Sequence, residues 1–165
     1  MPVLLLLAEC DLVKESQINQ QGGGDPILTA HRFNNMHFII ETNPVPKARP
    51  RVTCRGTYTP KRTKDAMEKI KEVIEEHPDC PDKPLSGPVS VIMTFYVPMP
   101  KSWSKKKRGE MLAEPVAKKQ FDIDNLEKTV YDALNGILWE DDGQIWKHTV
   151  KKVWSNTGRI ELQIV

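Results

Sequence analysis

Asp122-Ile123-Asp124-Asn125 places two carboxylates two residues apart. Side chains alternate across an extended strand, so at that spacing both acids project to one side. A second acidic pair, Asp141-Asp142, follows after one short helical stretch and a turn. Two carboxylates about 4 Å apart repel by about 4 kcal/mol at an effective dielectric of about 20. A domain has only about 5–15 kcal/mol of total stability. If Asp122, Asp124 and Asp142 converge, protonation, a basic partner or a divalent cation must offset the repulsion. Oxygen donors with no Cys or His beside them favour Mg²⁺, with Mn²⁺ as a substitute, over Zn²⁺. Such ions serve phosphodiester hydrolysis. Either Asp141 or Asp142 could be the third ligand, although Asp-Asp-Gly is also ordinary turn chemistry.

Lys128 stands four residues after Asp124, on the same face if a helix starts there. It could form a plain surface ion pair, or an ammonium that stabilises charge building on a pentacoordinate phosphate. Glu127, Asp132 and Glu140 are weaker candidates, and helix-surface solvation accounts for the first two. His148 lies in an alternating stretch and reads as structural. The chain has no Walker A pattern, HExxH or GxSxG, which excludes P-loop, zincin and serine-hydrolase readings.

The elements that must hold these residues follow from periodicity. His37-Phe38-Ile39-Ile40-Glu41 reads as a first strand. Pro44, Pro46 and Pro50 keep the next stretch extended, with Arg49 and Arg51 on similar sides. Thr59-Pro60 reads as a cap followed by Pro at the first helical position. The helix at 61–76 then buries Met67, Ile70 and Ile74. Val89, Val91, Met93, Phe95 and Val97 alternate along a central strand. Ser104 caps a short helix at 105–112. The strand end at 122–124 runs into a second main helix, with Asp124 or Asn125 as cap. Leu126, Val130, Ala133, Leu134 and Ile137 form its buried stripe, and Asn135-Gly136 stops it. The stretches 144–154 and 159–165 read as two strands of a hairpin turning through Ser155-Asn156-Thr157-Gly158. The expected class is α+β, a mixed sheet packed with two main helices in a single domain.

Net charge is +2 over 165 residues, but its distribution is uneven. Residues 43–64 carry seven basic side chains (Lys47, Arg49, Arg51, Arg55, Lys61, Arg62, Lys64) and no acid. Residues 101–119 carry seven more against two glutamates. Basic stretches around an acidic centre suit a polyanion gripped at its phosphates and cut where a metal sits. Three cysteines with no CxxC indicate reduced thiols in a cytoplasmic protein. No apolar run approaches membrane-spanning length. The leucine run at 3–8 lacks a basic n-region and reads as non-targeting. Gly22-Gly23-Gly24-Asp25-Pro26 separates residues 1–35, an extension, from a domain at 36–165.

FDIDNLEKTVYDALNGILWEDDGQI resembles the signature of the RusA family of Holliday-junction resolvases: an Asp-x-Asp-Asn, a Lys four residues after the second Asp, an Asp-Ala-Leu segment and an Asp-Asp pair. PVPKARPRVT, TYTPKRTKD and PKSWSKKKR match further motifs in order, so the resemblance covers about residues 36–165. It implies a Mg²⁺-dependent endonuclease, a symmetric homodimer that resolves four-way DNA junctions by paired nicks in recombination and repair. It assigns Asp122, Asp124 and Asp142 to the metal, Lys128 as the essential lysine and Asp141 as an accessory. The basic stretches, with Lys47, Arg49, Arg51, Lys118 and Lys119, would contact the DNA backbone of the arms. Two other classes compete: a junction-binding protein that no longer cuts, and a metal-dependent nuclease for other branched DNA.

Overall fold

The computed structural model describes residues 36–54 and 56–165; the expected extension at 1–35 lies outside the described residues. The order of elements is β1 (Met36–Ile40), β2 (Arg51–Thr53), β3 (Gly56–Tyr58), α1 (Lys61–Glu75), β4 (Val89–Pro98), α2 (Lys105–Met111), α3 (Ile123–Leu134), β5 (Ile145–Ser155) and β6 (Arg159–Ile164). The four long strands form one mixed sheet in the order β1-β6-β4-β5. β6 is antiparallel to β1 and β4, whereas β5 is parallel to β4. The α+β class expected from the sequence is therefore the class observed. Among the described residues no helix is long and apolar enough to cross a membrane.

One face of the sheet makes the core. Phe38 and Ile40 of β1, Val89, Val91, Met93 and Phe95 of β4, and Ile160, Leu162 and Ile164 of β6 are all buried against it. The two-residue period puts each set on one side, and α1 and α3 cover that side. α1 contributes Ile70 and Ile74; α3 contributes Leu126, Val130, Ala133 and Leu134. Met67 and Ile137 pack more loosely at the margin. Each fully buried Leu, Ile or Phe side chain contributes about 1.5–3 kcal/mol of transfer free energy. The shared interior thus fixes α3, and with it the acidic residues at its start, relative to the sheet.

Four expectations are corrected. β5 and β6 are not a hairpin, because β4 lies between them. β4 is apolar on its inner face throughout and buries Thr94 as well, so it takes an interior place; β5, exposed at 146–149, takes the edge. Crossing one intervening strand spans about 10 Å, and the 155–159 connection can reach that distance at about 3.8 Å per residue. The 122–124 stretch is not a strand end: α3 begins at Ile123, after a 3-10 turn at Lys119–Phe121. Its N-cap is Asp122, not Asp124 or Asn125. At α1 the N-cap is Pro60 with no side-chain cap, so Thr59 lies one residue too early to serve. The structure also adds the small β2–β3 pair within the basic stretch.

The other boundaries follow their signals. Ser104 caps α2 by accepting a hydrogen bond from the Lys107 N–H at 3.3 Å. Gly136, at φ 78°, takes the left-handed conformation just after α3, where a side chain would be strained.

Candidate active site

Asp122 has extended backbone angles (φ −62°, ψ 127°), and the helix begins one residue later. Its carbonyl accepts the first helical bond, from the Leu126 N–H at 3.1 Å. Its carboxylate makes no bond to the helix's own N–H groups. Instead it accepts from the Asn125 side chain at 2.9 Å. Asp124 lies in the first turn, where the helix dipole favours a negative charge. Its Oδ2 accepts from the Lys128 ammonium at 2.8 Å. That bond and Asp124's charge raise the Lys128 pKa above the ordinary value, with Asp122 and Asp132 adding to the effect.

The proline-rich stretch before β2 forms the opposite wall. The Lys47 N–H donates to the Asn125 carbonyl of α3 at 2.7 Å. The Ala48 N–H reaches the buried Thr63 hydroxyl of α1 at 3.4 Å. The Lys47 ammonium is drawn onto Asp132 of α3. Between these walls opens a cleft of about 480 Å³, lined by Lys47, Ala48, Arg49, Pro50, Asp122, Asp124, Asn125 and Lys128. A groove of about 570 Å³ continues from Ala48 and Arg49 to Arg51, Arg62 and Phe121. On the other side, Asp122 also lines a cavity of about 370 Å³ with Ala117, Lys118, Lys119 and Lys152.

The structure thus brings Asp122, Asp124, Lys128, Lys47 and Arg49 to one cleft, and sets Arg51, Lys118 and Lys119 in the cavities beside it. Asp141 and Asp142 do not line that cleft. Asp141 caps the 3-10 turn at Asp142–Gln144: its carboxylate accepts from the Gly143 N–H at 2.8 Å, and its own N–H donates to the Gln144 side chain at 3.1 Å. Asp142 is exposed, and its charge is felt at Tyr131. Among the described residues no three Asp, Glu, His or Cys side chains are gathered as a metal-holding group. Among the described residues, Asp122 and Asp124 are the two carboxylates on the cleft, and such oxygen donors could hold a hard cation.

Between Asp124 and Asp142 lies a group that sequence reasoning underrated. Glu127 is only 8% exposed on α3. Its carboxylate lies 3.0 Å from His148 Nδ1, on β5. The Tyr131 hydroxyl is 3.1 Å from the same nitrogen. Burial raises the Glu127 pKa, with Asp124's charge adding to the rise and His148 opposing it. Burial, then the charges of Glu127 and Asp142, push the Tyr131 phenol well above its ordinary value. The i, i+4 spacing of Glu127 and Tyr131 was visible in the sequence; the partner on β5 was not.

The family model of endodeoxyribonuclease RusA matches residues 41–165. The chain is also 34% identical over 136 residues to "Uncharacterized protein YqaN" of Bacillus subtilis (strain 168), an alignment covering 77% of this chain and 93% of that protein.

Proposed function

The chain belongs to the RusA endodeoxyribonuclease family, and from that premise we propose that it is a Mg²⁺-dependent endonuclease that resolves four-way (Holliday) DNA junctions by paired symmetric nicks. The observation that carries this reading is the cleft itself: two carboxylates and a lysine from the first turns of α3, flanked on both sides by basic side chains. Mg²⁺ is held by one or two carboxylates with water and substrate phosphate completing its shell. Asp122 and Asp124 fit that requirement, since both are exposed oxygen donors on the cleft and, among the described residues, no thiolate or imidazole lines it. Mn²⁺ would fit the same donors. When bound, the ion supplies an activated water and neutralises charge on the phosphoryl group.

The chain's own residues do the rest. Asp124 holds the Lys128 ammonium at the cleft, from where it can neutralise charge building on the phosphoryl oxygens. Arg49 and Arg51 grip backbone phosphates on one side, Lys118 and Lys119 on the other. Lys47, already tied to Asp132, fixes the wall that carries Arg49. Asp141 shapes the turn that carries Asp142, the third carboxylate of the proposed site, whose charge is felt at Tyr131. One site per chain and two opposed strands to cut require a two-fold homodimer. The role is in recombination and repair.

The test compares labelled immobile junction, fork and linear duplex in one titration, with Mg²⁺, with Mn²⁺ and with EDTA. Paired nicks on the junction that need the metal are expected. Binding without any cutting would leave a junction-binding protein, and equal cutting of forks would leave a general branched-DNA nuclease. Either outcome refutes the reading.

A further inference from the structure

The lysines around the cleft fall into two groups. Lys47 and Lys128 are already bonded to carboxylates. Lys118, Lys119 and Lys152 share a cavity with Asp122 and have no ion-pair partner among the described residues. Lys152 is partly buried on β5, and its ammonium donates to the Phe121 carbonyl, one residue before Asp122. A partly buried ammonium whose bonded partner is a neutral carbonyl keeps its charge free to meet an anion.

The lysines are also held in place. The Val116 N–H donates to the Lys152 carbonyl at 3.1 Å, and the Trp154 N–H donates to the Glu114 carbonyl at 2.9 Å, so the loop carrying Lys118 and Lys119 is pinned to β5. Trp103 and Trp154 meet edge to face, with ring centroids 5.1 Å apart. The Lys118 ammonium stands 5.5 Å from the Trp103 ring and 5.3 Å from the Trp154 ring. An ammonium over indole faces keeps its charge but loses freedom.

We propose that this cavity is a second phosphate subsite for the cleaved strand, with Lys152 as its inner cation and Trp103 and Trp154 positioning Lys118. It rests on the reading that the chain cuts DNA. The ligand is a backbone phosphodiester beside the scissile one, since Asp122 lines both the cavity and the cleft.

The experiment measures the affinity of the full chain for an immobile four-way junction from 50 to 200 mM salt in EDTA, with nicking followed in parallel in Mg²⁺. Lys152→Gln retains a polar N–H donor on a side chain one atom shorter and removes the charge. It should flatten the slope of log affinity against log salt by about 0.9, one phosphate contact, while Lys83→Ala, on an exposed loop, should not. Trp103→Leu should weaken binding several-fold with the slope retained, because Lys118 is loosened and not removed; Trp103→Phe should restore it. If wild type binds and nicks but Lys152→Gln leaves the slope unchanged, the subsite is refuted. If wild type neither binds nor nicks branched DNA, the nuclease reading falls and the subsite with it.

Discussion

Asp124→Asn separates chemistry from binding and folding. The substitution preserves shape and removes one charge. Asp124 lies in the first turn of α3, where a carboxylate interacts with the helix dipole by about 0.3–1 kcal/mol. Its bond to Lys128 joins two side chains that are 62% and 52% exposed, so solvent screens it and it adds little. The loss is small against about 5–15 kcal/mol of domain stability, and the variant should fold. Catalysis should suffer far more, since removing one group that serves the transition state costs about 10²–10³ in rate. Binding should hold or tighten. A charge about 7 Å from a phosphate in a water-like dielectric contributes about 0.6 kcal/mol of repulsion, so its removal allows up to about threefold tighter binding. Single-turnover nicking of an end-labelled junction in Mg²⁺ measures the rate, and gel shift in EDTA measures the affinity. A variant that nicks at more than about a tenth of the wild-type rate would refute Asp124 as a metal ligand. Loss of binding together with nicking would assign it a structural role.

Metal linkage should be visible without DNA: Mg²⁺ at about ten times its Kd stabilises the folded state by about 1.4 kcal/mol, or about 3–6 °C in Tm, relative to EDTA. Asp122→Asn should abolish that shift, and a wild-type Tm indifferent to both Mg²⁺ and Mn²⁺ would count against the site. Glu127 gives a pH test. Its folded-state pKa is raised, so as pH climbs through the ordinary glutamate range the unfolded chain releases its proton first and stability falls until the folded pKa is passed. Glu127→Gln should therefore melt higher than wild type at neutral pH, with the gap closing below about pH 4; a lower Tm at neutral pH would show that the His148 contact outweighs burial. Leu134→Ala, at a fully buried position where α3 meets the sheet, should cost about 2–5 kcal/mol, measured by urea denaturation; a cost under about 1 kcal/mol would mean that α3 is not held by this core.

What could be read from the chain was whatever repeats locally. Alternation along β4 and the 3.6-residue stripes of α1 and α3 are properties of consecutive residues, and they identified those elements and most of the core. Strand pairing is not local. Ser155-Asn156-Thr157-Gly158 looks like a hairpin turn because its composition says only that the chain reverses; which strand occupies the place beside β6 depends on β4, sixty residues away and more apolar than β5. The acidic pair failed as a strand for a related reason. Three residues are too few to distinguish alternation from the boundary between an extended cap and a helix, and the boundary is what sets both carboxylates on one cleft. Asp142 depends on β5, so its separation from that cleft could not be seen in the order of motifs.

The disposition of charge makes sense of why this cleft can contain acids and still receive DNA. Clustered carboxylates alone would repel phosphate. Asp132 and Asp124 are each met by a lysine from within the fold, and the Lys47–Asp132 pair ties the wall at 44–50 to α3. That leaves Asp122, among the described residues, with a neutral amide as its bonded side-chain partner, at the point where the central cleft and the lysine-lined cavity meet. The cations without a carboxylate partner among the described residues, Arg49, Arg51 and Arg62 on one side and Lys118, Lys119 and Lys152 on the other, sit in the flanking cavities. On the proposed reading a phosphate chain would therefore be drawn across the site at neighbouring phosphates and not at the phosphate to be cut. On the proposed reading the scissile group meets its most negative surroundings where the divalent cation would sit, so that cation would be a condition of the chemistry and not of the grip.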